Sequence, residues 1–197
     1  MAIDKTVSIN KVVEVLKGAS NFKVESVEEF NKGIEHIIRL IKDSAILYKD
    51  ESYASSYYLS IIVIEEVAKI HMGLYVQYDD KEKRNKLYDH KTKDIIGCNY
   101  TLTLGARLKD AIGQETIEKI INESYSGNLK DNREKAIYCS RVNNQYVVPS
   151  DLYSREDARN MLLFAIESFD DNLVGYTDYS LKQSKETNLI FTEISLG

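Results

Sequence analysis

Tryptophan is absent from this chain, proline occurs once, at Pro149, and glycine nine times in 197 residues. Proline interrupts helices and glycine loosens them, so a chain poor in both favours long helices over many short strands and tight turns. Cysteine is scarce too. Cys98 and Cys139 stand alone, which excludes a disulfide scaffold and a cysteine metal framework and suits a reducing compartment. No apolar run approaches the ~20 residues of a membrane span; Ile61–Ile64 ends at once in Glu65 and Glu66. The opening MAIDKTVSINKVVEVLKG has no signal-peptide core. Excess positive charge is also missing: the net charge is −5, which argues against a general nucleic-acid coat while allowing a local basic patch. These absences predict a cytoplasmic protein with no membrane partner, and a length of 197 residues fits a single domain over residues 1–197.

Apolar residues make up 43% of the chain, and tyrosine is abundant at 14 copies. Ser8 can cap a short first helix that stops at Gly18. Ser26 to Glu29 has the spacing of a capping box. Behind it Phe30, Ile34, Ile37, Ile38, Ile41 and Ala45 recur at helical spacing, predicting a helix to about Tyr48. A second helix is expected over about Tyr53–Tyr78, with Leu59, Ile62, Val63, Ile70 and Gly73 on one stripe beside Glu66. A charged connection leads to a third helix that Asp89 could cap. Gln114–Ser124 reads as a helix with Ile117, Ile120 and Ile121 inward. Ser126-Gly-Asn is a turn, and Arg133–Tyr138 a short helix. Asn143 to Pro149 is extended. A long helix capped by Ser154 buries Ala158, Met161, Leu162, Ala165 and Phe169. The tail NLIFTEISL reads as a strand-like arm. The expectation is an all-α bundle with extra helices and a short extended C-terminal tail.

Two constellations carry chemistry. In the second helix Glu65, Glu66 and Lys69 stand among Ile61, Ile62, Val63, Ile64, Val67 and Ile70. Either acid reaches the lysine along the helix. Charges in such apolar surroundings need partners elsewhere in the fold; Arg133, Arg141, His90, Lys93 and the tyrosine hydroxyls are candidates. Both a structural network and a polar site within a bundle fit this pattern. The Glu-x-x-His motif of di-iron bundles is missing, so no metal and no cofactor is expected. The second constellation is Lys81 to Lys93, locally basic, with Arg84, Asn85 and His90 as its reactive residues. Histidine suits proton transfer at neutral pH and arginine suits phosphate. The alternative is a solvated charged turn with His90 at a helix start. His36 and His71 lie in apolar patterns and read as packing residues.

Taken in order, YASSYYLSIIVIEEVAKI, DHKTKD, REKAIY and VVP, followed by a long helix, resemble the AbiV-type abortive infection family. The likeness covers about Lys42 to Phe169 and falls on Glu65, Glu66 and Lys69, on His90, Lys91 and Lys93, and on Arg133 and Tyr138. This family looks like a branch of the HEPN superfamily. The resemblance implies an α-helical HEPN-like bundle, a homodimer, and RNA cleavage in many members. It also implies a role in phage defence, with a phage-encoded protein as trigger and cell arrest through RNA or translation. The HEPN signature of an Arg followed by a His is met formally by Arg84-Asn85-Lys-Leu-Tyr-Asp-His90, although in typical members it opens a late helix. In that reading His90 is base or acid, Arg84 stabilises phosphorane charge and Asn85 positions the phosphate. A non-catalytic module that recognises a phage or host translation protein is the alternative. A nucleotide-binding regulator with Lys69 and Arg133 on phosphate has no glycine-rich loop behind it. Glu65, Glu66, Lys69, Lys93, Arg133 and Tyr138 are expected to form an internal polar network, with Glu66 buried and partnered outside its own helix.

Overall fold

The computed structural model describes residues 23–74, 90–99 and 106–196. Among them eight α-helices form a bundle: α1 (Val27–Lys49), α2 (Tyr53–Leu74), α3 (His90–Asn99), α4 (Ala106–Ile112), α5 (Gln114–Ser126), α6 (Asn128–Lys135), α7 (Arg155–Leu173) and α8 (Asp178–Leu196). A two-stranded hairpin, β1 (Ser140–Val142) and β2 (Gln145–Val147), and a 3-10 turn at Pro149–Asp151 lie between α6 and α7. The expected helix at Ser8 and the cap at Asp89 lie outside the described residues.

The local signals explain most boundaries. The Ser26 hydroxyl accepts from the Glu29 amide, and the Glu29 carboxylate accepts from the Glu25 amide. α7 opens on a reciprocal pair in which Ser154 and Asp157 satisfy each other's backbone N–H groups, as capping-box chemistry requires. Gly127, at φ +87°, ends α5 in the left-handed conformation that glycine adopts without penalty. Asn143 and Asn144 also take positive φ, the geometry of a two-residue hairpin turn. The segment before Pro149 is therefore strand β2, paired antiparallel with β1.

α2 is the central element and packs on α1, α3 and α7. Its serines explain how two helices approach so closely: Ser44 of α1 bonds the hydroxyls of Ser56 and Ser60, all three fully buried. Gly97 of α3 meets α2 at Ile64; a Cβ there would lie 2.5 Å from Ile64 Cγ2 and 2.6 Å from its carbonyl oxygen. Ser168 of α7 donates to the Gly97 carbonyl at 2.6 Å. These contacts fix α3 against α2, and with it the side chains that α3 presents.

Two expectations are corrected. The C-terminal tail is not an extended arm: NLIFTEISL belongs to α8. Its β-branched residues suggest a strand, but Thr187, Phe191 and Ile194 recur at helical spacing and are buried against the bundle. Arg159 of α7 secures the end of α8, donating to the Ile194 and Ser195 carbonyls at 3.1 and 2.6 Å. The short helix expected at Arg133–Tyr138 begins earlier and ends at Lys135, leaving Tyr138 in the turn that follows.

Candidate functional site

Glu65 sits in the most apolar stretch of α2 with its side chain 4% exposed. A buried carboxylate needs opposite charge and hydrogen bonds around it, and two helices supply them. From α6, Arg133 Nη1 donates to Oε1 at 2.7 Å. From α3, Lys93 Nζ donates to Oε2 at 3.0 Å, and His90 Nδ1 lies 2.8 Å from the same oxygen. His90 and Lys93 are three apart on one helix, so one face of α3 delivers both. Lys93 and Arg133 are largely covered, whereas the His90 side chain is 34% exposed.

His90 Nδ1 also lies 2.8 Å from Arg133 Nη1. An ionised carboxylate only accepts hydrogen bonds, so an Nδ1 lone pair facing Oε2 would repel it. Arg133 Nη1 can only donate, so its contact calls for that lone pair instead: the two contacts at Nδ1 belong to opposite tautomers of the ring. In the tautomer whose Nδ1–H donates to Glu65, the free lone pair is on Nε2 and the ring is oriented by a buried acid. Of the four side chains, two are basic, one is acidic and one is an imidazole. The cluster therefore favours an anion at its mouth.

The expected network is corrected at two positions. Glu66, expected to be buried with partners on other elements, keeps 22% of its side chain exposed and pairs with Lys69 of its own helix at 3.2 Å. The physical reason is helical phase: Leu59, Ile62, Glu66 and Lys69 share the half-exposed face, while Ile61, Ile64, Glu65 and Ala68 point inward. Tyr138 is 67% exposed and lies outside the cluster. Arg84 and Asn85 lie outside the described residues.

Two further polar assemblies escaped the sequence reading. Arg107 of α4 donates to Glu167 and Asp170 of α7 and to Asn188 of α8, with its guanidinium 4.4 Å from the Phe191 ring. Beside it, burial and the neighbouring Glu167 and Asp170 push the Asp171 carboxyl up to about 7. The signal was present as three acids at i, i+3 and i+4 within an apolar helix. The other assembly is a cleft of about 560 Å³ between α5, α6 and the start of α7. Among the described residues no group of histidine, cysteine and acidic side chains has the arrangement to hold a metal ion, and no helix is long and apolar enough to cross a membrane.

The bundle of eight helices among the described residues is of the all-α kind expected of a HEPN domain. The HEPN_AbiV family model, described as AbiV, matches residues 26–169, and the chain belongs to that family. The family is one of abortive infection, a form of phage defence. The match spans Glu65, His90, Lys93 and Arg133. No curated protein and no solved structure matches the chain significantly.

Proposed function

We propose that this protein is a phage-defence effector that arrests the infected cell by acting on RNA, as a homodimer released by a phage-encoded trigger. The observation that carries this reading is the half-exposed imidazole of His90, held through Nδ1 by buried Glu65 with Arg133 and Lys93 beside it. Metal-free RNA cleavage needs a base near the ribose 2′-OH and cations near the phosphate. In this role His90, in the tautomer whose Nδ1–H donates to Glu65, takes the 2′-OH proton at Nε2, and the 2′-oxygen attacks the adjacent phosphorus. Arg133 and Lys93 offset the growing negative charge, and the 5′-oxygen leaves with a proton from solvent. Arg84 and Asn85, just before His90 in sequence, would contact phosphate in the same scheme. A symmetric dimer would set two such basic segments side by side.

The test is cleavage of total RNA by purified protein together with the phage trigger. Because His90 is partly exposed, His90→Ala should stay folded, and its cleavage rate should drop by about 100-fold or more, the ordinary contribution of a proton-transfer group. Undiminished cleavage by the variant overturns the assignment. One observation favours a second reading, a protein-binding module: Ile137, Tyr138, Tyr146 and Leu152 are exposed on and around the hairpin, apolar surface of the kind that marks interaction sites. RNA left intact in arrested cells would select it.

A further inference from the structure

The cleft between α5, α6 and α7 has an ordered polarity. Its floor is half-buried and rich in acceptors: Glu123 from α5, Asn132 from α6, and Asp157 and Asn160 from α7. Its rim carries the exposed Lys119, Lys135 and Glu156. The polar floor is built and held. Asn132 Nδ2 donates to Glu123 Oε2 at 3.2 Å, and this is the one hydrogen bond to that carboxylate among the described residues, which leaves Oε1 and the second lone pair of Oε2 for a ligand. Tyr153 donates to the Asn132 carbonyl at 2.6 Å. Its ring packs on that of buried Tyr57, with centroids 4.4 Å apart, giving one wall a fixed aromatic surface. Burial raises the Glu123 carboxyl above its ordinary range, a sign that it is partly withdrawn from water.

A ligand matching this polarity presents hydrogen-bond donors inward, an aromatic face to one side, and negative charge outward. A cationic side chain meets the first need, but it brings no negative charge for Lys119 and Lys135 at the rim to pair with. A nucleotide meets all three. Among the bases only guanine sets two donors side by side, N1–H and the N2 amine, in the pattern that the two oxygens of one carboxylate accept; adenine and cytosine each place an acceptor beside their donor. The volume is of the size that small-ligand sites have. We propose that this cleft binds a guanine nucleotide, with Glu123 on the Watson–Crick edge, Tyr153 along the base and Lys119 and Lys135 on phosphate. The nucleotide is either free or an unpaired residue of RNA. The proposal does not depend on RNA cleavage at His90, since the two sites share no residue; Asn132 and Arg133 are merely consecutive on α6.

Calorimetric titration of the full chain tests this with GMP, IMP, AMP and N-acetyl-arginine amide. GMP should bind at least about tenfold more tightly than AMP, as expected when a site's buried acceptor is left unpaired. IMP, which lacks the N2 amine, should fall between them. Glu123→Gln should abolish the preference for GMP over AMP. Lys119→Glu, at an exposed position that leaves the core intact, should weaken GMP severalfold while guanosine binding is unchanged. Tighter binding of a guanine-containing hexaribonucleotide than of GMP identifies RNA as the source, and GMP binding without that gain identifies a free nucleotide. Equal binding of GMP and AMP, no binding of either, or tighter binding of the arginine amide overturns the proposal.

Discussion

Replacing Glu65 and Glu66 separately by glutamine separates an internal lock from a surface pair. The two acids are adjacent in sequence and identical in chemistry, and glutamine keeps their shape. At position 65 the change removes the buried anion shared by Lys93, Arg133 and His90, leaving among the described residues only the exposed Glu134, 4.0 Å from Arg133, as a counter-charge for two covered cations. Breaking a buried ion pair from one side costs about 3–5 kcal/mol. At position 66 it removes a partly exposed i,i+3 contact to Lys69, worth about 0.3–0.5 kcal/mol. For a chain of this size about 1 kcal/mol shifts Tm by about 2–4 °C. Thermal unfolding followed by circular dichroism should thus show a loss of about 6–20 °C for Glu65→Gln and under about 2 °C for Glu66→Gln. Equal shifts, or the larger one at Glu66, would refute the burial argument.

Gly97→Ala should destabilise by about 1–3 kcal/mol, the usual penalty of overpacking, because the new methyl meets the Ile64 backbone. Hydrogen exchange should quicken across α3, and unchanged Tm and exchange would contradict this. Arg159→Ala should speed amide exchange at the end of α8, whose carbonyls it caps, without altering exchange in α1. The Asp171 carboxyl rises from 3.8 to about 7 in the fold. The folded state then holds this proton more tightly than the unfolded chain, so its contribution to stability falls as pH rises through that interval. Asp171→Asn should flatten the decline in urea midpoint between pH 5 and pH 8, and an unchanged slope would count against the shift.

The regular elements were legible because their periodicity and caps agree. Phe30, Ile34, Ile37, Ile38 and Ile41 were expected on one buried face and are buried in α1. Ser154 was expected to open α7 and does so. The tail was not legible in the same way. Ile190, Phe191, Thr192 and Ile194 resemble a strand locally, and only docking on α1 and α7 reveals a helix. The choice between Glu65 and Glu66 failed because α2 is apolar on nearly every side, so the pattern of its side chains does not fix which face looks inward; the neighbours that settle it come from α1, α3 and α7. Arg133 and His90 were each marked out in sequence, but their approach to within 2.8 Å depends on α3 and α6 meeting over Glu65. Nothing along the chain places Tyr57, Glu123, Asn132 and Tyr153 around one cleft, since each comes from a different segment.

Whether the Glu65-centred cluster works in phage defence or only braces the fold is decided in the infected cell. The direct measurement is phage plating efficiency on cells producing wild-type or His90→Ala protein, with Tm and protein level measured alongside. The account predicts that the variant stays within a few degrees of the wild-type Tm, accumulates normally, and no longer restricts the phage. Full restriction by a normally folded His90→Ala protein would contradict it.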